Sequence, residues 1–278
     1  MVRIVSDTST LYSSTQAPQA GFAVSPLSVT IAGESYREFD EIMPPEFVAK
    51  IREGNLPTSS QPAVGDVVAL YQQYPDDEIV NISMALGLSG TYNGAVAATQ
   101  MSENADKITV INSRTLCGPH RYLVENAAKM AQEGCTKQQI VEKTEELMDT
   151  AKSFLMPDDF AYLRRGGRLS PLVSYVGQTM HLAPVITQTE DGSQLTIASV
   201  RRSFAQAVKY VSKALKGMGV GDGWRIYVTH ADAPAKAERA YKLLLEVFPT
   251  ATYEIHPLSP AFITQGGPNC VAIQVIHD

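Results

Sequence analysis

The chain has 278 residues, enough for one large domain or two ordinary ones, each burying a real apolar core. Its 23 Lys and Arg against 29 Asp and Glu give a net charge of -6, and no basic run interrupts it. Such a balance excludes a nucleic-acid backbone or an anionic membrane surface as the main partner and leaves small ligands or proteins.

In chain order, residues 2–5 read as a buried edge strand that runs into a polar loop, Ser6, Asp7, Thr8, Ser9 and Thr10. Asp7 is by position a candidate site residue; the competing role is to cap the turn that follows. Residues 22–31 read as strand broken at Pro26, with a turn at Gly33 and Glu34, and Pro44 with Pro45 opens a helix through Phe47, Val48 and Ile51. Residues 56–62 form a hydroxyl-rich loop, Thr58, Ser59 and Ser60 between Pro57 and Pro62, which is either an anion-facing loop or a plain linker. A helix over 66–74 precedes the central strand from Ile79.

That strand breaks at Gly87, turns through Leu88, Ser89 and Gly90, and continues as an Ala-rich helix to about residue 101. Ser89 or Thr91 is the expected N-cap. The helix start offers free N–H groups and the positive end of the macrodipole, so the turn either holds an anion or merely caps itself. After a strand over 108–111, strand and helix have alternated often enough to predict a parallel sheet with ligands at the strand C-termini. Thr136 with Gln139 makes a capping box before a helical core stripe, and Pro157, Asp158 and Asp159 mark the expected domain boundary.

Beyond the boundary, Arg164, Arg165 and Arg168 flank Gly166 and Gly167, as a solvated helix end or as a clamp for phosphate or carboxylate. Strands over 183–187 and 194–200 pair as a hairpin. Arg201 and Arg202 precede an amphipathic helix. Strand, helix and strand follow over 225–229, 235–248 and 251–255. A polar loop containing Thr264, Gln265 and Asn269 leads into the final strand at 270–276.

The three cysteines, Cys117, Cys135 and Cys270, stand apart, so neither a disulfide framework nor a zinc knuckle is expected. His120, His181, His230, His256 and His277 have no ligand spacing and predict no metal. No signal peptide and no stretch of about 18 apolar residues is evident, so the expectation is a cytoplasmic protein without stable membrane anchoring. Gly87-Leu88-Ser89-Gly90-Thr91 approaches the nucleophile elbow of serine hydrolases, with Asp232 and His256 in the right order to complete a triad. Thr91 replaces the second glycine of that elbow, and no oxyanion motif precedes it.

Several segments together resemble the DegV family of fatty-acid-binding proteins: Ile4 with Val5, Ser6, Asp7, Thr8 and Ser9, the Pro57 to Pro62 loop, the Gly87 turn, Val110 to Ser113, Tyr162 to Leu169, and the closing Gly-Gly-Pro loop. They occur in the family's order across nearly the whole chain. The resemblance implies an α/β protein of two α/β domains, the first with a mainly parallel sheet, and a lipid site between or within them. Residues 1–156 would carry the carboxylate-binding loops, and 157–278 would contribute to the acyl-chain pocket. It implies no cofactor and no chemistry of the protein's own. It also implies a partner kinase that phosphorylates the bound long-chain fatty acid.

Carried over residue by residue, Thr58, Ser59 and Ser60 fall on the family's hydroxyl loop, and Ser89, Gly90 and Thr91 on its carboxylate-binding turn. Gln265 stands where the family commonly has His, Asn269 where it has Gly, and Ala183 where Lys is expected before Pro184. Gln265 can still donate a hydrogen bond but cannot become cationic. Arg165, Arg168, Arg201 and Arg202 are candidates for partner or phosphate contact. The alternatives are a serine hydrolase acting through Ser89 and a binding module for another anionic amphiphile or a phosphate metabolite.

Overall fold

The computed structural model describes residues 1–170 and 182–278. In chain order the elements are β1 (Val2–Asp7), β2 (Ala23–Ser25), β3 (Ser28–Ile31), β4 (Glu34–Arg37), α1 (Pro44–Arg52), β5 (Thr58–Ser60), α2 (Val64–Tyr71), β6 (Glu78–Ser83), α3 (Thr91–Gln100), β7 (Ile108–Asn112), α4 (Cys117–Gln132) and α5 (Lys137–Met148). There follow β8 (Lys152–Met156), α6 (Phe160–Arg165), β9 (Ala183–Gln188), β10 (Leu195–Arg201), α7 (Phe204–Gly217), β11 (Trp224–His230), α8 (Pro234–Leu245), β12 (Thr252–Pro257), α9 (Pro260–Gly266) and β13 (Val271–His277).

The first sheet is parallel, in the order β2-β1-β6-β7. Its strands are buried runs such as Ile79, Val80 and Ile82, as a sheet covered on both faces requires. The expected edge strand at residues 2–5 instead lies inside the sheet, between β2 and β6. Helix α5 starts on the predicted capping box: Thr136 Oγ1 accepts from Gln139 N, and Gln139 Oε1 accepts from Thr136 N at 2.9 Å. A small antiparallel sheet, β4-β3-β5, leans on α1 and α9.

The second sheet has six strands in the order β10-β9-β8-β13-β11-β12. Strand β8, which the sequence reading did not mark, pairs with β13, so the change of sheet falls ahead of Pro157. One face of this sheet packs on α7 and α8, where Ala207, Val208, Val211 and Leu215 form the buried stripe of α7. The other face turns toward the first sheet. There Tyr227 of β11 and Ile276 of β13 enter the same core cluster as Ile4, Val80 and Leu123. Gly118 at the start of α4 lies flat on the Tyr227 ring, which leaves no room for a Cβ.

Candidate functional site

A cavity of about 380 Å³ opens between the two sheets, within the range of small-molecule sites. Its interior is apolar, with Leu27, Met84, Leu116, Leu155, Ile186 and Phe262 among its walls. Its polar rim gathers residues distant in sequence: Ser59 and Ser60 of β5, Ser89 and Gly90 ahead of α3, Arg168 beyond α6, and Gln265 in the last turn of α9.

Each rim residue is positioned by local backbone structure. The segment holding Thr58, Ser59 and Ser60 is a short edge strand paired to β3, not the expected loop, because Ser28, Val29 and Thr30 offer it a ladder. Alternation along that strand leaves Thr58 and Ser60 exposed and turns Ser59 inward, where its hydroxyl accepts from Gln265 Nε2 at 3.1 Å. Gln265 lies on a helix rather than in the predicted polar loop, since Pro260 sits in the first helical turn and starts it. The Gln265 Oε1 atom is buried without a donor.

At the other side of the rim the N-cap of α3 is Gly90, not Ser89 or Thr91. Ser89 sits one residue earlier, its Oγ accepting from Thr91 N at 3.3 Å and lying 2.8 Å from Thr91 Oγ1. The next N–H groups, of Tyr92 and Asn93, are in the first turn, where a helix supplies no acceptor of its own. Gln61 fits between Gly90 and Gly94, which have no side chain to exclude it. Arg168 crosses the rim and donates from Nε to Leu88 O at 3.3 Å. The 190–193 hairpin tip closes on Gly87, whose missing side chain admits the Gly192 carbonyl and the Ser193 backbone.

Of the sequence candidates, Ser59, Ser60, Ser89, Gly90, Arg168 and Gln265 line the cavity; Thr58 and Thr91 do not. Arg165 stacks over Tyr162 at 4.4 Å and Arg201 over Tyr210 at 4.7 Å, while Arg164 and Arg202 are exposed. Asp7 takes the capping role. It is buried, accepting from Ser9 N at 2.9 Å and Met84 N at 3.1 Å.

The triad is not assembled. Ser89 pairs with Thr91, whereas Asp232 and His256 line a different cavity and His256 bonds Glu254 at 2.8 Å. His181 lies outside the described residues. Among the described residues no group of three or more His, Cys, Asp or Glu could hold a metal, and no helix is long and apolar enough to cross a membrane.

Sequence reasoning missed Gln61, Ser153 and Gln274, all on the cavity wall. Gln274 had a signal, being the lone polar residue within the buried run of β13. Two buried acid groups lie behind the site. Glu38 accepts from Thr8 Oγ1 at 2.5 Å and from Ala261 N, in the first turn of α9, at 2.8 Å. Burial pushes its carboxyl from the ordinary 4.5 to about 7, against the opposing effect of these hydrogen bonds. Burial likewise raises the Cys117 thiol, with Glu38 and Cys270 adding to it, so this cavity-lining sulfur is a packing group rather than a nucleophile.

A second cavity, about 780 Å³, lies beside Tyr12, Arg121, His230 and His256. Arg121 is paired with Glu125 at 3.0 Å and Asp232 with Arg52 at 2.8 Å, and His256 hydrogen-bonds Glu254 at 2.8 Å.

Residues 1–278 match a family model described as an uncharacterised protein of the DegV family. A DegV domain-containing protein of Listeria monocytogenes is 28% identical over 277 residues, covering 98% of this chain and 97% of its own. The crystal structure of DegV, a fatty acid binding protein from Bacillus subtilis, superposes with a TM-score of 0.88 at 25% identity, covering 100% of this chain and 99% of that one. A fatty-acid-binding family protein from Thermus thermophilus superposes with a TM-score of 0.89 at 22% identity over the same shares.

Proposed function

The chain belongs to the DegV family, and from that premise we propose that its inter-sheet cavity binds a long-chain fatty acid and presents the carboxylate to a partner kinase for phosphorylation. One observation carries the reading: the cavity is largely apolar, with Ser59, Ser89, Arg168 and Gln265 gathered at its rim. Burying the tail yields up to roughly 0.8 kcal/mol per methylene, so about a dozen methylenes supply most of the affinity.

The rim orients the head. If the Gln265 amide turns over, its oxygen accepts from the Ser59 hydroxyl and its NH2 points to a carboxylate. Ser89 and the first N–H groups of α3 approach from the other side. The protein itself performs no bond chemistry in this reading, a view supported by Ser89 having Thr91, not a histidine, as its partner.

The two-domain division belongs to the same proposal, with residues up to about 150 framing the first sheet and the rest the second. So does a cytoplasmic setting. Denaturing mass spectrometry of the protein as purified tests the ligand: a co-purified fatty acid supports the reading, and a phosphate metabolite replaces it with the binding-module alternative. The kinase is tested by the double change Arg165→Ala with Arg202→Ala. Acyl-phosphate formation with the cognate kinase should fall and lose salt sensitivity while fatty-acid affinity persists. Wild-type activity in both assays would move the docking face elsewhere.

A further inference from the structure

Just beyond strand β5, Gln61 follows Ser59 by two positions, and Pro62 after it favours extended backbone at Gln61. The two side chains therefore point to the same side, and both line the cavity. The Gln61 amide lies along the first turn of α3. A Cβ at Gly90, the N-cap, would collide with Gln61 Oε1, and one at Gly94, four residues on, would stand 2.7 Å from Gln61 Nε2. Two glycines one helical turn apart thus make a slot for an amide, and the end of the slot at Gly90 is the positive end of the helix macrodipole.

The slot holds the amide by shape alone. Gln61 is half-buried on the cavity wall, and neither its oxygen nor its NH2 has a hydrogen-bond partner among the described residues. Its neighbours on the rim are partly committed: Ser59 Oγ accepts from Gln265 Nε2, and Ser89 Oγ accepts from Thr91 N. A tail entering the cavity displaces water from this wall, so the amide needs a partner on the ligand or is left unsatisfied. A carboxylate has no proton to give and takes the NH2 end. The two ends of the amide are nearly equal in size, so the slot accepts it either way round. We infer that Gln61 is a head-group contact, a third donor beside Ser89 and Gln265 that favours a carboxylate over a head group with one oxygen; the inference rests on the fatty-acid reading above.

The test is a titration of the full chain with palmitic acid and with cetyl alcohol, which has the same tail and a single head-group oxygen. Gln61→Met keeps the length of the side chain without its hydrogen bonds, and Gly94→Ala moves the amide while leaving Gln61 in the sequence. Outside α3 and Gln61, the nearest atom to the new methyl is Val64 Cγ2 at 3.9 Å, and Ala is the better residue inside a helix, so the fold should hold. Each variant should lower the ratio of acid to alcohol affinity by roughly three- to tenfold. Gln61→Glu, which sets a second negative charge in the same slot, should lower it further. Thermal melts establish that the variants are folded. A ratio unmoved in folded Gln61→Met and Gly94→Ala, or a Gln61→Glu variant that binds palmitic acid as the wild type does, overturns the contact while leaving the fatty-acid reading intact. A wild type that binds no palmitic acid overturns both.

Discussion

The two cavities differ in a way that volume does not capture. The larger, about 780 Å³, is bordered by Arg121 and Asp232, each with an oppositely charged neighbour in Glu125 or Arg52, and by His256, which is hydrogen-bonded to Glu254. The smaller, about 380 Å³, has an apolar interior and a rim that keeps hydrogen-bonding capacity in reserve at Gln265. A ligand entering the larger space must compete with ion pairs the protein has already formed, whereas one entering the smaller gains apolar contact and meets the polar rim of Ser59, Ser89 and Gln265. Unspent hydrogen bonding beside dry surface, not size, distinguishes a binding site from a gap between elements.

Filling each cavity in turn is the most direct way to break that comparison. Ala272→Phe places a ring on the apolar floor and should weaken fatty-acid binding by about 100-fold or more, the equivalent of roughly four displaced methylenes. Ala20→Phe, which intrudes on the larger cavity, should leave the titration where it was. Equal losses in both would show that the two spaces act together.

The next effect is on stability. The unfolded chain ionises Glu38 near the ordinary 4.5 and the folded chain near 7, so between these values the folded state holds the extra proton. The stability this contributes is fully present below the lower value and is lost as pH rises through the upper one. Relative to Glu38→Gln, the wild type should lose on the order of 2 to 3 kcal/mol across that window, read from chemical denaturation at each pH. Parallel pH profiles for the two would mean that Glu38 stays in one state throughout.

Ser89→Ala should cost about 1 to 3 kcal/mol of fatty-acid affinity if its hydroxyl bonds a charged carboxylate. A fluorescent fatty-acid titration that does not move removes Ser89 from the head group. The smallest expected change is in Gln265→His. An imidazole facing a carboxylate gains a partner, its pKa rises, and binding strengthens below that raised value and fades above it. The wild type, with its amide, should lack this slope. Superimposable pH curves would place residue 265 away from the carboxylate.

The elements were legible wherever a single local signal sufficed. The capping box at Thr136, the Pro44 and Pro45 helix start and the alternation leading to a parallel sheet all appear as read. What failed depended on partners far along the chain. Thr58 to Ser60 looks like a loop because three polar residues carry no strand pattern, and only the ladder to β3 makes them strand. Residues 2–5 gave no hint of their place between β2 and β6, since burial on both faces looks alike at an edge and in the middle. The rim residues Ser59, Ser89 and Gln265 could be nominated separately, but the hydrogen bond from Gln265 to Ser59 spans 206 positions and no spacing announces it.

The seating of Tyr227 and Ile276 in the core of the first sheet bears on how a ligand gets in and out. A hinge that swung the two sheets apart would bare both side chains and lift Gly118 from the Tyr227 ring, at a cost of roughly 3 to 6 kcal/mol for the two side chains alone. The molecule is therefore closed like a riveted box rather than a clamshell. Traffic through the cavity falls to its trim: the three-residue strand β5 and the hairpin tip resting on Gly87, which can yield without parting the core that the two sheets share.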